Sequence, residues 1–557
     1  MTPPLAETLP RAHALRVAGL VFVVALAAQV PFHAGWLVDP AGRLLANPFH
    51  GVHAWAIDVV GRALLAGAWP DPTDAAGFPV EHRARFVLWP VLVVGGLLRG
   101  LIPPVLSLNL AAWVGPALGG AAFVALGRRL APNAAPIGLF AGGLVYALSP
   151  TTLGAALSGQ VENSQSWVLP LLLWSLLWAE GALRRAPVVG LLGLIGGLTS
   201  PYLGMFAALA GPWLLWMRAR APGSSMRAAV RGLWAPGLAL GLGLGLAGRW
   251  LDPAGFDPAT DLFRPSYGEP GVWPPLWGDP PSVADPHGLL TGLARPQTKA
   301  LVVHLPYLGL PLLLGGLLWG GDRRGWIALV GGGVLVALGP VLGWRGEALV
   351  LGDQELQLPG MLLRALHTPL AEGGQYYRAL VLAHLGLAGL FLGARAGWRL
   401  FAVGIVGMAD LMRVLALVGL PWPTVALPAA AWQAWAADPA PGAVVHLPFF
   451  GPDLIPCHPV RLAGHSVHGR PLTDMPRAWK APPDAPALDA LATCTRRGAA
   501  CPLPTLDALA SLGLRYAVID LPEGPERVQL SRRLIAAWGP PTDGADGLRW
   551  WRLQPAR

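Results

Sequence analysis

The sequence predicts an all-α polytopic membrane domain followed by a small soluble α/β domain. Three observations carry this expectation. Of 557 residues, 54% are hydrophobic and only 13% are charged, roughly half the charged share of an ordinary soluble domain. Apolar runs of about 20 residues, the length a helix needs to cross a bilayer, recur between residues 14 and 419. From about residue 423 onward the runs shorten and alternate with polar residues. The formal net charge of +9 comes from short arginine pairs between apolar runs rather than from a basic groove. That pattern fits topology signals and excludes a nucleic-acid partner.

The spans are expected near 14–32, 106–127, 134–150, 166–182, 187–200, 202–217, 232–249, 301–319, 325–343, 377–394 and 398–419, about eleven transmembrane helices. Lys and Arg gather in cytoplasmic loops. A cytoplasmic N-terminus places Arg128/Arg129, Arg184/Arg185, Arg218/Arg220, Arg323/Arg324 and Arg395/Arg399 on that side. The run "FVLWPVLVVGGLLRGLIPP" (86–104) breaks this order if it spans, so it is read as interfacial or re-entrant. Arg11 and Arg16 before an apolar run, with no small-residue cleavage site after it, read as an uncleaved anchor. The outer face then carries the loops 33–85, 150–166, 250–300 and 344–376, and the C-terminal segment is extracytoplasmic. The location expected is the inner, cytoplasmic membrane of a bacterium.

In the first outer loop, residues 52–65 place Trp55, Val59 and Leu65 near one face with His53, Asp58 and Arg62 between them, an amphipathic interfacial helix. His53, Asp58 and, after a Pro-rich turn, Glu81 are candidate acid/base or cation-holding groups. The second outer loop, "LSGQVENSQSW" (157–167), sets Gln160, Glu162, Asn163 and Gln165 between two very apolar stretches. A carboxylate at the rim of a membrane bundle is costly to desolvate and so a functional candidate. Glu162 could act as a general base or hold a divalent cation; the plainer reading is a solvated glutamate near a helix start. Arg378 in "QYYRALVL" could meet a phosphate or snorkel to the interface. Asp410 and Arg413, three apart in the last span, read as a structural ion pair.

In the C-terminal segment (423–557), "GAVVHLPFF", "LRYAVIDL" and "LRWWRL" read as strands, and "TLDALASLG" and "ERVQLSRRLIAAWG" as helices. His446, His458, His465 and His468 match no zinc-ligand spacing and read as solvated or hydrogen-bonded loop residues. In an oxidising compartment Cys494 and Cys501 could close a loop, leaving Cys457 free.

The order of these features resembles the membrane glycosyltransferases of the GT-C type. More closely, it resembles a bacterial group that adds a C-terminal extracytoplasmic domain. The resemblance is carried by "NLAAWVGPALGGAAFVALGRRL", "GGLVYALSP", "LPYLGL", "VALGP", "QYYRALVL", "GAVVHLPF", "HSVHGRPL" and "LRYAVID". It implies hexosyl or pentosyl transfer from a polyprenyl-phosphate donor on the outer face. By position it points to Glu162 as the catalytic acid/base, supported by Asp58 and Glu81. His53, Gln160, Asn163 and Arg378 would then bind substrate, with Gln160 and Asn163 on sugar hydroxyls. The resemblance also implies a Gly-Asp shortly before a tryptophan in the first loop. Counting back from Trp55, this sequence has Phe49 and His50 there. A second reading therefore stands beside the first, a catalytically inactive membrane scaffold or binding protein of the cell envelope.

Overall fold

The computed structural model describes residues 11–45, 48–70, 86–221, 223–251, 289, 307–319, 324–339, 342–344, 347–348, 350–351, 354–355, 358, 376–393, 397–416, 422, 424–447, 459–468, 470–471, 486–495, 502–519, 524–543 and 548–553. Among the described residues, five helices are long and apolar enough to cross a membrane: Ala12–Leu37, Pro104–Leu130, Pro136–Leu157, Met226–Leu251 and Tyr376–Gly393. Two shorter apolar helices, Val168–Ala179 and Arg324–Ala337, run among them.

In chain order the membrane part begins with α1 (Arg11–Leu37), α2 (Pro48–Leu65), α3 (Trp89–Leu97), α4 (Pro104–Leu130), α5 (Pro136–Ala147) and α6 (Pro150–Leu157). It continues with α7 (Val161–Ser164), α8 (Val168–Ala179), α9 (Ala186–Thr199), α10 (Pro201–Leu209), α11 (Gly211–Ala219) and α12 (Met226–Leu251). The last four are α13 (Leu310–Trp319), α14 (Arg324–Ala337), α15 (Leu380–Leu390) and α16 (Gly397–Ala416). The core lies where α1, α4, α5, α8, α14 and α15 meet, around Val21, Phe123, Tyr146, Leu172, Leu385 and Leu387. Helix α15 is buried on every side.

The stretch expected as a span over 202–217 is divided at Ala210 into two nine-residue helices. Each covers only about 14 Å at 1.5 Å per residue. Pro201 and Pro212 stand in the first turns, where a missing N–H costs nothing. The run 86–104 yields only α3, nine residues, too short to cross a bilayer core of about 30 Å. It packs against α2, where Gly61 and Gly96 meet: a Cβ added to Gly61 would lie 2.5 Å from the Gly96 carbonyl oxygen. Asp410 and Arg413 do pair, at 3.0 Å, and Tyr307 adds a hydroxyl hydrogen bond to Asp410.

The C-terminal segment forms a four-stranded sheet. Taking β1 as Arg43–Leu45 and β2 as Thr424–Ala426, its strands are β3 (Ala443–Leu447), β4 (Leu514–Ile519), β5 (Thr542–Asp543) and β6 (Arg549–Arg552), in the order β3-β4-β6-β5. Strands β3 and β4 run parallel, Val445 opposite Ala517. A parallel pair needs a crossover, supplied here by α18 (Pro459–His468), α19 (Pro486–Thr495) and α20 (Leu506–Ser511), with α17 (Ala429–Ala437) before them and α21 (Pro525–Trp538) after. Side chains alternate across the sheet: Val445, Leu447, Ala517 and Ile519 face one core, Val444, Tyr516 and Val518 the other. That second core also contains Trp55, Ile57 and Leu92 of the first outer segment.

The two halves of the chain are joined directly. β1 pairs antiparallel with β2, Leu44 opposite Val425. Helix α2 is covered by α18. The amphipathic reading of α2 is corrected accordingly. Residues 50–61 are buried all round because the polar side is capped by protein rather than water, while Leu65 is exposed. His465 and His468 likewise sit buried on α18 instead of in a loop. Cys494 is disulfide-bonded. Cys457, Cys501, His458, Glu81 and nearly all of the outer loop at 250–300 lie outside the described residues.

Candidate active site

The loop at 157–167 is built by a local stop-and-restart. Helix α6 ends at Gly159, whose φ of +73° is open to glycine without penalty. Its N–H and that of Gln160 close back on Ala156 and Ala155. The chain then turns into α7 and is pinned to α4 by Gln165, which donates through Nε2 to the Ala111 carbonyl at 3.0 Å. Gln165 also accepts from the Trp167 indole at 3.0 Å. The result carries Glu162 into the protein rather than out to solvent.

There Glu162 meets His53 of α2, with Nε2 and Oε2 3.1 Å apart and both side chains largely buried. Asn163 donates to the other Glu162 oxygen at 3.0 Å and to Gln160 Oε1 at 3.3 Å. Its own carbonyl accepts from the Ser200 hydroxyl at 2.9 Å. Ser200 is the N-cap of α10 and accepts from the Leu203 N–H, so one hydroxyl ties the cap to the site. Burial pushes the Glu162 carboxyl up. The hydrogen bond and charge of His53, together with the Arg378 charge, more than offset this and hold it below its ordinary value.

A cleft opens beside this pair, with Thr151, Ser158, Gln160, Asn163, Tyr377 and Arg378 among its lining. Arg378 is only 9% exposed. Its Nε donates to the Tyr377 hydroxyl at 3.4 Å, and its guanidinium lies over the Tyr202 ring, 4.0 Å from the centroid. Tyr377 in turn donates to Gln160 Oε1 at 3.4 Å. Cation–π contact with Tyr202 and the hydrogen bond to Tyr377 hold the charge in place against the cost of burial.

Of the expected site residues, the structure gathers His53, Gln160, Glu162, Asn163 and Arg378. Asp58 is elsewhere. Fully buried, it is held by Arg62 at 2.8 Å, by Arg99 at 2.5 Å and by His465 of α18 at 2.9 Å. Burial raises its carboxyl, but His465 and Arg62 outweigh this and leave it below the ordinary value. Glu81 lies outside the described residues. His50, at the place where the resemblance implies an acid, is fully buried and pushed down to about 3 by that burial, with His53 and His33 adding to the shift. Among the described residues no three His, Cys, Asp or Glu side chains converge as a cation site. Ser200, Tyr202 and Tyr377 were not singled out in the sequence, because neither a hydroxyl nor an aromatic ring stands out from a membrane sequence.

No protein-family profile and no curated protein matches the sequence. Solved structures do. The chain is similar to the arabinofuranosyltransferase AftD from Mycobacteria, with a TM-score of 0.55 and 16% identity over 99% of this chain. It spans about 40% of the length of that protein. The oligosaccharyltransferase AglB from Archaeoglobus fulgidus, solved with an inhibitory peptide and a dolichol-phosphate, aligns over 90% of this chain and 69% of its own, with 11% identity and a TM-score of 0.43. The chain therefore shares the fold of that arabinofuranosyltransferase over nearly its whole length, and five of its described helices are long and apolar enough to cross a membrane.

Proposed function

We propose that the protein transfers a sugar from a polyprenyl-phosphate donor on the outer face of the bacterial inner membrane. Residues 1–422 would form the membrane part with a cytoplasmic N-terminus, and 423–557 an extracytoplasmic domain. The observation that carries this reading is the buried His53–Glu162 pair beside a cleft containing a buried arginine, on a GT-C-like fold. The acceptor hydroxyl gives its proton to the Glu162 carboxylate as its oxygen attacks the anomeric carbon. The bond from that carbon to the phosphate oxygen breaks, and the electron pair leaves with the lipid phosphate. Arg378 takes the charge that builds there, in a desolvated setting where a fixed cation counts for more than in water. His53 orients Glu162. Asp58 has no part in the chemistry in this reading and serves to dock α2. No step is routed through a cation.

The test is transfer from a radiolabelled polyprenyl-phosphate sugar by protein in vesicles. Glu162→Gln, nearly isosteric, should cost at least about 100-fold in turnover, the worth of a positioned general base. It should leave unfolding temperature almost unchanged. One observation favours the scaffold reading instead: a neutral buried His50 where an acid is implied. If the wild type turns over no lipid-phosphate sugar that it binds, the scaffold reading replaces the enzyme.

A further inference from the structure

Two side chains of the cleft keep unspent donors and a third, Thr151, turns out acceptors. Arg378 commits Nε to Tyr377, and its two terminal nitrogens have no hydrogen-bond partner among the described residues. Gln160, 4% exposed, spends Oε1 on Asn163 and Tyr377. Its Nε2 is left with both N–H groups unspent among the described residues.

At Thr151 the capacity is acceptor only, and the cause is His384 of α15. Its Nε2 lies 3.1 Å from the Tyr307 carbonyl oxygen, which can only accept. A neutral ring that donates to this carbonyl carries its hydrogen on Nε2 and leaves Nδ1 a lone pair. Thr151 Oγ1 is 2.9 Å from that Nδ1, so the threonine hydroxyl is the donor in this bond. What Thr151 turns to the cleft is lone pairs alone. Ser158 is in the same condition, its hydroxyl donated to the Ala155 carbonyl at 3.2 Å.

Resting on the function proposed above, we infer that Thr151, oriented by His384, is a specificity residue that accepts a hydrogen bond from a hydroxyl of the donor sugar, while Arg378 and Gln160 take the phosphate. A phosphate dianion has no hydrogen to give to Thr151 and is repelled by its lone pairs. A polyol supplies that hydrogen and finds no partner for it on the arginine. This division of donors and acceptors thus fixes which end of a glycosyl phosphate lies where. His384 touches no ligand and acts through Thr151 as a positioning residue.

The experiment measures binding to the full-length protein in nanodiscs, using farnesyl phosphate and its mannosyl, glucosyl and arabinofuranosyl esters. The wild type should bind one ester more tightly than farnesyl phosphate. Thr151→Val should weaken that ester about tenfold, near the worth of one hydrogen bond, and leave farnesyl phosphate unchanged. Thr151→Ser should restore it. His384→Leu frees the hydroxyl to rotate while leaving it able to accept, and should weaken the ester by less than the valine does. Arg378→Gln should weaken both ligands together. Equal change in both ligands for Thr151→Val, or change in neither, overturns the inference and leaves the lipid-phosphate reading standing. Wild-type protein that binds no ester better than farnesyl phosphate overturns sugar recognition at this cleft. Wild-type protein that binds none of the four ligands overturns both readings.

Discussion

His53 and Glu162 are 109 residues apart in the chain, and their side chains meet at 3.1 Å. One stands on α2, the other on the four-residue helix α7, and each fills the polar need that burial creates in the other. The pair has a pH consequence. A carboxyl held low keeps its charge into more acidic solution than an ordinary glutamate and loses it only as pH falls through the lowered value. The acid limb of transfer should therefore lie below the usual glutamate range. In His53→Ala the largest opposition to burial is gone and only the Arg378 charge and a backbone hydrogen bond remain, so the limb should move to higher pH. A pH–rate profile of both proteins decides this; coincident acid limbs would show that His53 does not hold Glu162.

Asp58 is the bolt between α2 and α18. Asp58→Ala leaves buried His465 and half-buried Arg99 without their carboxylate and should cost about 3 kcal/mol, as removing one partner of a buried pair does. Arg62→Ala should cost less than about 1 kcal/mol, because that side chain is 41% exposed and water replaces the lost contact. Unfolding measured on both variants would refute the assignment if the two costs were equal.

Helices α2 and α3 touch through Gly61 and Gly96. An alanine methyl at Gly96 would lie 2.8 Å from the Gly61 Cα and must push the helices apart. Gly96→Ala should lower stability by about 1–3 kcal/mol, the usual toll of overpacking. Gly100→Ala, with open space around its missing Cβ, should be tolerated. A Gly96 variant as stable as wild type would mean that the helices separate freely.

Asp438 links the C-terminal strands to α17. The Tyr516 hydroxyl bonds to it, outweighing a small burial effect, and Arg515 and Arg552 add their hydrogen bonds. Its carboxyl is held far below the ordinary range. Its contribution to stability is present in full above the ordinary carboxylate value and is lost as pH falls through the lowered folded value. The stability gap between wild type and Asp438→Asn should be widest at neutral pH and close only in strong acid. A gap that does not vary with pH would assign it to packing instead.

Much of this was legible in the chain. Apolar length marked the long helices, because bilayer thickness sets a length that composition reveals directly. The gap between the expected spans 187–200 and 202–217 marked the break at Pro201, and the short apolar runs "GAVVHLPFF" and "LRYAVID" marked β3 and β4. Glu162 stood out as a lone acid between apolar runs. Asp58 was a candidate beside it, but its partners Arg99 and His465 lie on distant segments, so its place in a docking cluster could not be read from its neighbours.

The sequence by itself determined a polytopic helical bundle with a mixed C-terminal segment and singled out Glu162, because hydropathy and charge are local properties that survive without a fold. The tertiary structure alone decided that His53 rather than Asp58 meets Glu162, that Arg378 is caged by Tyr202 and Tyr377, and that α18 covers the polar side of α2. Those outcomes depend on which surfaces are pressed together after folding, and a buried carboxylate takes whichever donor packing delivers to it.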